Sequence, residues 1–203
     1  MKPWSQRFPL APSDASLARA VFALLLAVYI GTFNGLPGGP DGEVTFQTTS
    51  ALARGGTLAI GGTPEAEGLI AFADSQPPGG FSVRRGAGEG APRYYGWFGV
   101  ADPLVAVPLY ALGSLVARVA PATQALHEED ERFGFRRSEY FQHLFAGLRN
   151  PLLGALTALL VVLAARRLGV ARGAAYVAGL GYGLTTFALP QARGWAGAPA
   201  RGA

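Results

Sequence analysis

The fold is decided by residues 151–190, which read PLLGALTALLVVLAARRLGVARGAAYVAGLGYGLTTFALP. Two apolar runs lie on either side of RRLGVAR (166–172), a connector with three arginines in seven residues. A helix that crosses a bilayer needs about 20 mainly apolar residues. We therefore predict a transmembrane helix over 148–168, a turn over 169–172 and another transmembrane helix over 173–190.

A further apolar run lies near the N-terminus, at residues 17–36: LARAVFALLLAVYIGTFNGL. Arg19 is its only charge, and a long arginine side chain near a helix end can reach the lipid headgroups. A secretory signal peptide is the alternative, because a basic segment precedes the run. No A-x-A-like cleavage site follows it. The sequence favours an uncleaved transmembrane helix preceded by the segment 1–16.

The net charge of +4 is divided unevenly along the 203 residues. Residues 1–36 carry +2; residues 37–147 hold eight arginines and 12 acidic residues, a charge of −4; residues 148–203 hold six arginines and no acid, a charge of +6. Basic residues next to spanning helices favour the cytoplasmic side. Segments 1–16 and 169–172 are therefore predicted to be cytoplasmic, in a multi-pass protein of the cytoplasmic (inner) membrane.

Composition also excludes two classes of protein. There is no cysteine, so a disulfide-stapled secreted scaffold is excluded. In many nucleic-acid interfaces, basic residues form a stripe or alternate with aromatic residues. The basic residues of this chain do neither, so we predict no nucleic-acid partner.

The segment 103–117, PLVAVPLYALGSLVA, is apolar but ambiguous. It is 15 residues long, is bounded by Asp102 and Arg118, and contains Pro108 and Gly113. If it spanned the membrane, the arginine-rich connector would face outward, against the charge rule. We predict an interfacial or re-entrant helix. A short kinked spanning helix is the alternative, because neighbouring helices can satisfy the backbone groups that a proline frees.

The sequence thus predicts an α-helical integral membrane protein with about three transmembrane helices and a large exoplasmic loop, residues 37–147. The loop is rich in glycine and proline, which interrupt long regular elements. Interfacial helices are expected near 43–54 and 103–117. The first of these, EVTFQTTSALAR, is followed by Gly55 and Gly56, a pattern typical of a helix C-cap.

Two acids just after the first apolar run are the best candidates for chemistry. A carboxylate at Asp41 or Glu43 can accept a proton from an incoming hydroxyl or amine, or hold a divalent cation beside a phosphate. The alternative for Asp41 is a structural role as the N-cap of the helix that follows. His127 and His143 show no metal-ligand spacing, so we predict no metal site built on them.

The order of four segments resembles the start of membrane glycosyltransferases of the GT-C fold, which include protein O-mannosyltransferases and the lipid A aminoarabinose transferase. After the N-terminal helix come PDGEVTFQTTSALARGGTLAI, then RYYGWFGVADPLVAVPLYALGSLV, then NPLLGALTALLVVLAARRLGVARGAAYVAGLGYGLTTFALPQAR. In that family an acid follows the first helix, two interfacial helices come next, and a spanning helix ends in an arginine-rich turn. The resemblance covers about residues 17 to 193.

The resemblance implies transfer of a sugar from a polyprenyl-phosphate donor to an acceptor outside the cytoplasmic membrane. Asp41 takes the position of the family's catalytic base, and Glu43 is the next candidate. Arg93, Tyr94 and Tyr95 are expected to face the donor phosphate or the sugar, since arginine suits phosphate and tyrosine suits a sugar face. The alternative for the two tyrosines is an aromatic belt at the membrane interface. The only cofactor suggested is a divalent cation.

The chain also departs from the family. Family members continue into many more spanning helices, whereas residues 191–203, QARGWAGAPARGA, lose the apolar pattern. The sequence therefore leads us to expect a truncated N-terminal part that is inactive by itself. The alternative is a non-enzymatic membrane assembly or transport subunit. Gly179 and Gly183 form a G-x-x-x-G pattern, which suits either a partner helix or packing inside the protein.

Overall fold

The computed structural model describes residues 11–33, 35, 40–75, 83–86, 93–128, 139–186 and 189. The chain forms two compact units. The first, which we call the three-helix unit, comprises the described residues of Met1–Asn34 and Asn150–Ala196. The second, which we call the inserted unit, comprises the described residues of Gly35–Arg149.

The helices and strands of the described residues follow one another in this order: α1 (Pro12–Thr32), α2 (Pro40–Gly55), β1 (Ala59–Ile60), α3 (Pro64–Ser75), β2 (Val83–Arg85), β3 (Tyr94–Gly96), α4 (Ala101–Val119), α5 (Pro121–Glu128), α6 (Tyr140–Gly147), α7 (Arg149–Arg167) and α8 (Arg172–Thr185). Helices α1 and α8, with α7 from its second residue onward, make up the regular part of the three-helix unit. The remaining elements belong to the inserted unit.

Helix α1 begins five residues earlier than predicted, at Pro12. Proline is well suited to the first helical position, where its missing N–H has no partner to lose. The backbone N–H of Ala11 donates to Oδ2 of Asp14 at 3.0 Å, which fixes the first turn. The predicted N-terminal segment 1–16 therefore includes the start of this helix.

Small and medium apolar side chains form the centre of the three-helix unit. Its buried members are Ala18, Val21, Leu25, Tyr29, Ala155, Ala158, Val162 and Ala175. The hydroxyl of Tyr29 is buried with them and donates to the carbonyl oxygen of Gly183 at 2.8 Å. Because a buried hydroxyl needs a partner, this bond fixes the relation between the ends of α1 and α8.

An ion cluster holds the opposite end of the same unit. Asp14 is 2% exposed, and its Oδ1 lies 2.8 Å from Nε of Arg166 and 3.3 Å from Nε of Arg172. The start of α1, the end of α7 and the start of α8 therefore meet at one end. Helix α7 runs antiparallel to the other two, so the chain leaves α1 and enters α7 at the same end of the unit.

The inserted unit combines short helices with a three-stranded antiparallel sheet in the order β1-β3-β2. One apolar cluster joins α2, α3 and the sheet: Val44, Ile60, Ala66, Leu69 and Val83. A second cluster joins α2, α4 and α6: Phe46, Ala106, Tyr110 and Ala146. Sequence patterns did not predict the sheet, because strands of two or three residues are too short to show alternation.

Helix α2 agrees well with the predicted helix 43–54. It begins three residues earlier and ends at Gly55. Gly56 has φ 63°, and its N–H donates to the carbonyl oxygen of Leu52 at 3.0 Å. A left-handed glycine that returns a bond to the last turn is a common helix end, which confirms the predicted C-cap.

Helix α4 is longer than the apolar segment 103–117 suggested. It covers 19 residues, with Asp102 in its first turn and Arg118 in its last. Both charges are favourable there, because the N-terminal end of a helix carries partial positive charge and the C-terminal end partial negative charge. The two charges that were used as boundaries are therefore part of the helix. A Cβ on Gly113 would lie 2.6 Å from the carbonyl oxygen of Phe141, so this glycine allows α4 and α6 to approach closely.

Among the described residues, three helical stretches are long and apolar enough to cross a membrane: α1, α4 and Tyr140–Arg167. The first and third overlap the predicted spans 17–36 and 148–168. The second is the segment predicted to be interfacial. The predicted span 173–190 corresponds to α8, which has 14 residues and ends at Thr185. The protein is thus suited to be a multi-pass α-helical membrane protein, but the three long helices differ from the three predicted.

Candidate active site

The two predicted acids lie in the first turn of α2 but face different surroundings. Asp41 is exposed, whereas Glu43 is buried. The helix begins at Pro40, one residue before Asp41, so this carboxylate lies within the first turn and not at the N-cap position. Negative charge is favourable there because the N-terminal end of a helix carries partial positive charge.

Glu43 meets His143, a residue 100 positions away on α6. Nε2 of His143 lies 3.1 Å from Oε2 and 3.3 Å from Oε1 of the carboxylate. The imidazole ring stacks on Phe46, with ring centroids 3.4 Å apart and planes inclined by 19°. His143 is 3% exposed, so the ring is enclosed by protein.

The second ring nitrogen of His143 fixes where its hydrogen lies. Nδ1 is 2.9 Å from the carbonyl oxygen of Glu139. A carbonyl oxygen only accepts, so a hydrogen bond between these two atoms requires hydrogen on Nδ1. The contact between Nε2 and the Glu43 carboxylate then needs one more proton, carried either by the imidazole or by the acid. Histidine and glutamate therefore form a pair that shares a proton.

Glu43 is also linked to α3 through two further side chains. Nε2 of Gln47 donates to Oε1 of Glu43 at 2.7 Å, and Oγ1 of Thr63 donates to Oε1 of Gln47 at 3.2 Å. Thr63 in turn accepts from the N–H of Ala66 at 3.1 Å, as an N-cap residue does. This chain of bonds joins α6, α2 and α3 through buried polar atoms.

A second polar group lies at the other end of α2. The hydroxyl of Tyr110 donates to Oε1 of Glu139 at 2.9 Å, and Nε of Arg54 donates to the Tyr110 oxygen at 2.9 Å. Arg54 also forms an ion pair with Glu139. Ser50 contacts the same tyrosine hydroxyl at 3.3 Å. Both ends of α2 are thus held by polar contacts to other helices of the inserted unit.

The predicted substrate-binding residues lie on and beside β3, which packs against α2. A Cβ on Gly96 would be 2.9 Å from Cγ1 of Val44, so the strand and the helix are in direct contact there. Arg93 precedes the strand and is exposed. Tyr94 and Tyr95 are half-buried and, as neighbours in a strand, face opposite sides of the sheet. The structure therefore brings the tyrosine segment beside the acid-bearing helix.

The hydroxyl of Tyr94 already has a partner. It donates to Oδ2 of Asp74 at 2.9 Å. This hydrogen bond, followed by partial burial and by the negative charge of Asp74, raises the pKa of the Tyr94 phenol. Tyr94 is therefore held as a neutral donor and offers its ring, not a free hydroxyl, to its surroundings.

Metal ligation has little support in the part of the chain that is described. No group of three or more histidine, aspartate or glutamate side chains lies together there. The Glu43–His143 pair by itself supplies fewer ligands than the three protein side chains of a typical catalytic zinc site. We therefore derive no step through the divalent cation that the sequence suggested.

Gly179 and Gly183 are used inside the three-helix unit. A Cβ on Gly179 would lie 2.4 Å from Cγ2 of Val162, and one on Gly183 would lie 2.4 Å from Cδ1 of Leu25. The G-x-x-x-G pattern therefore allows α8 to pack closely against α1 and α7. A role for this pattern in contacting a partner helix stays a prediction.

Sequence reasoning missed His143 as a member of the site. Its one local signal was its setting in YFQHLFAG, since a histidine among apolar residues of a helix is expected to be buried with a partner. The partner itself could not be found, because Glu43 is 100 positions away. Asp14 was also missed. Its signal was the opposite charge of the arginine-rich connector, which attracts a single acid at the start of a spanning helix.

Comparisons of this chain with protein-family models, with curated proteins and with solved structures found no match.

Proposed function

We propose that this chain belongs to a membrane glycosyltransferase of the GT-C type, which transfers a sugar from a polyprenyl-phosphate donor to an exoplasmic acceptor. One observation carries the proposal: Asp41 stands exposed on a turn whose neighbour Glu43 is buried and bonded on both carboxylate oxygens. A carboxylate on a firmly held turn suits a general base, which must be fixed relative to the group it deprotonates.

The arrangement of the three-helix unit supports the proposed topology. The chain leaves α1 and enters α7 at the same end, so residues 33–149 cross the membrane an even number of times. In the described part of that stretch before Tyr140, α4 is the one helix long enough to span. A single crossing by α4 would separate the ends of α1 and α7, so we place α4 at the membrane interface.

Helix α4 has surfaces that suit this position. The side that packs on α2 and α6 carries Pro103, Ala106, Tyr110 and Gly113. The other side exposes apolar residues, and Trp97 and Phe98 are exposed just before the helix. An aromatic residue beside an apolar helix face is typical of interfacial helices. The lipid headgroup region is therefore the proposed partner of this surface.

The charge distribution supports the direction of insertion. The end of the three-helix unit that holds Asp14 also holds Arg166, Arg167 and Arg172. By the positive-inside rule this end is cytoplasmic. The other end, where residues 33–149 emerge, is then exoplasmic, so Asp41 meets the donor outside the cytoplasm.

The proposed reaction needs one proton acceptor on this chain. Asp41 takes the proton from the acceptor hydroxyl or amine as that atom bonds to the anomeric carbon of the sugar. The bond between the anomeric carbon and the phosphate oxygen breaks, and polyprenyl phosphate leaves with the electron pair. Arg93, exposed beside β3, is the proposed partner of the phosphate.

Carboxylate footprinting tests this proposal without the need for turnover. The protein is placed in lipid nanodiscs and treated with a carbodiimide and an amine, which modify exposed carboxylates, and the sites are read by mass spectrometry. Asp41 and Glu67 are both exposed on helices, so both are expected to react without ligand. Polyprenyl-phosphate-linked mannose or aminoarabinose should slow the labelling of Asp41 severalfold and leave Glu67 unchanged.

The matched ligand control is polyprenyl phosphate without a sugar, which separates recognition of the lipid phosphate from recognition of the sugar. Equal effects on Asp41 and Glu67, or no effect on Asp41 with either sugar, would contradict the proposal. The second result would favour a non-enzymatic membrane assembly or transport subunit.

A further inference from the structure

We infer that His143 is a positioning residue, which fixes the first turn of α2 through the proton that it shares with Glu43. The proposed function supplies only the purpose of this turn, which is to present Asp41. We call the contact between His143 and Glu43 through this proton the lock. It depends only on residues of the inserted unit.

The ring of His143 is held on three sides. Nδ1 is 2.9 Å from the Glu139 carbonyl oxygen, Nε2 is 3.1 Å from the Glu43 carboxylate, and one face is stacked on Phe46. These contacts leave no free polar atom on the imidazole. A buried ring in this setting has one orientation, so it can serve as a fixed reference for the carboxylate.

Glu43 is held as firmly as the ring. One carboxylate oxygen accepts from Gln47 at 2.7 Å, while the other faces His143. The Gln47 amide is oriented in turn by Thr63. Glu43 is thus held by side chains of α2 and α6 and, through Gln47, by Thr63 at the start of α3.

The shared proton decides whether the lock holds. With the proton on either partner, the contact is a hydrogen bond between an imidazolium and a carboxylate or between an imidazole and a carboxylic acid. Without it, the lone pair of Nε2 faces a negative charge in a buried setting, which is repulsive. The pair therefore ties α2 to α6 only while it keeps this proton.

Fixing Glu43 also fixes Asp41, which lies two residues earlier in the same helical turn. The backbone carbonyl of Asp41 accepts from Oγ1 of Thr45 at 3.1 Å, so this residue is part of the regular helix. The short separation leaves little freedom between the two Cα positions. Glu43 thus anchors the turn inward, and Asp41 projects outward from it.

Hydrogen exchange measured by mass spectrometry on the full chain in nanodiscs tests the lock. In His143→Ala and in Glu43→Ala, amides of residues 41–46 should exchange faster, on the order of tenfold, as local opening becomes easier. Amides of residues 51–54, held by the contacts of Arg54, should change little. The double variant should show no more than either single variant, because both remove one shared interaction.

Two further variants keep the test valid if an alanine variant does not fold. Glu43→Gln can still donate its amide hydrogen to Nε2, so exchange over residues 41–46 should stay near the native rate. His127→Gln changes the chain's other histidine and serves as the matched control.

Nitrogen-15 NMR of histidine-labelled protein supplies a signature that a purely structural role does not predict. The signals of the native ring are assigned by their disappearance in His143→Ala. They should show a protonated Nδ1 and a hydrogen-bonded Nε2. In Glu43→Gln the ring should be a neutral imidazole that is protonated at Nδ1 only. A native ring protonated at Nε2 only would overturn the inference.

The two proposals fail in different ways. If exchange and NMR behave as expected but no donor protects Asp41 in footprinting, the lock stands and the proposed function falls. If donors protect Asp41 equally in native protein and in His143→Ala, and exchange over 41–46 does not change, the positioning role falls and the proposed function stands.

Discussion

At the scale of single residues, the molecule depends on two buried acids whose partners are far away in the sequence. Glu43 meets His143 in the inserted unit, and Asp14 meets Arg166 and Arg172 in the three-helix unit. Glu43 was a candidate from the sequence, because it follows the first apolar run, whereas Asp14 was missed. The partners of both acids could not be predicted, because contacts across 100 or more positions leave no local pattern.

Replacing Asp14 separates its two roles. Asp14→Asn removes the charge that faces two arginines but keeps an oxygen for the Ala11 N–H, whereas Asp14→Ala removes both. We expect the thermal unfolding temperature in nanodiscs to fall in both variants, because each leaves the arginines without the negative charge of their buried partner. It should fall further in Asp14→Ala, which also loses the bond to the Ala11 N–H. Circular dichroism measures this.

Ser16→Ala is the control for Asp14, since Ser16 is exposed on the same helix. An Asp14→Asn protein as stable as the native one would show that the ion cluster does not hold the three-helix unit together.

At the scale of elements, the length of each apolar run and the residues that interrupt it explain which helices were predicted correctly. Helices α1 and α7 were found because long apolar runs carry their own signal. For α4 the sequence predicted only 103–117, because Asp102 and Arg118 bound the apolar run, and Pro108 and Gly113 lie in its interior. In the structure the helix continues through both, and Gly113 allows close contact with α6. A glycine inside an apolar helix can therefore mark packing rather than an end.

The glycines of α8 allow a matched test of close packing. Gly179→Ala and Gly183→Ala would each place a methyl group 2.4 Å from a side-chain carbon of α7 or α1, while Gly181→Ala meets nothing within 4 Å. We expect the first two to lower the free energy of unfolding by about 1–3 kcal/mol through overpacking. Gly181→Ala should be neutral or stabilise by up to about 1 kcal/mol, because alanine favours helix.

Titration with a denaturing detergent in mixed micelles measures these differences. If all three alanine variants unfold alike, the contacts of α8 with α1 and α7 do not decide the stability of the three-helix unit.

At the scale of the whole molecule, the sequence predicted an α-helical membrane protein, and the three long apolar helices agree with that class. It did not predict the three-stranded sheet or the networks at both ends of α2, because these depend on folding and not on composition. Residues 191–203, the predicted atypical tail, lie outside the described residues. The membrane topology stays a prediction that accessibility can test.

Single cysteines are easily introduced, because the native chain has none. Leu58, Leu126 and Leu168 are exposed and lie just before β1, on α5 and just after α7, respectively. With a membrane-impermeant maleimide on intact cells, we expect Leu58→Cys and Leu126→Cys to react and Leu168→Cys to react only after permeabilisation. Labelling of Leu58→Cys and Leu126→Cys from opposite sides would show that α4 crosses the membrane.

The ion cluster of Asp14 has a consequence for biosynthesis. Asp14 leaves the ribosome 152 positions before Arg166, its first arginine partner in the chain. At a synthesis rate of about 5–20 residues per second, this interval lasts on the order of 10–30 s. During that time α1 must remain in the membrane with its acid at the aqueous edge. Completion of the three-helix unit therefore coincides with synthesis of the arginine-rich connector.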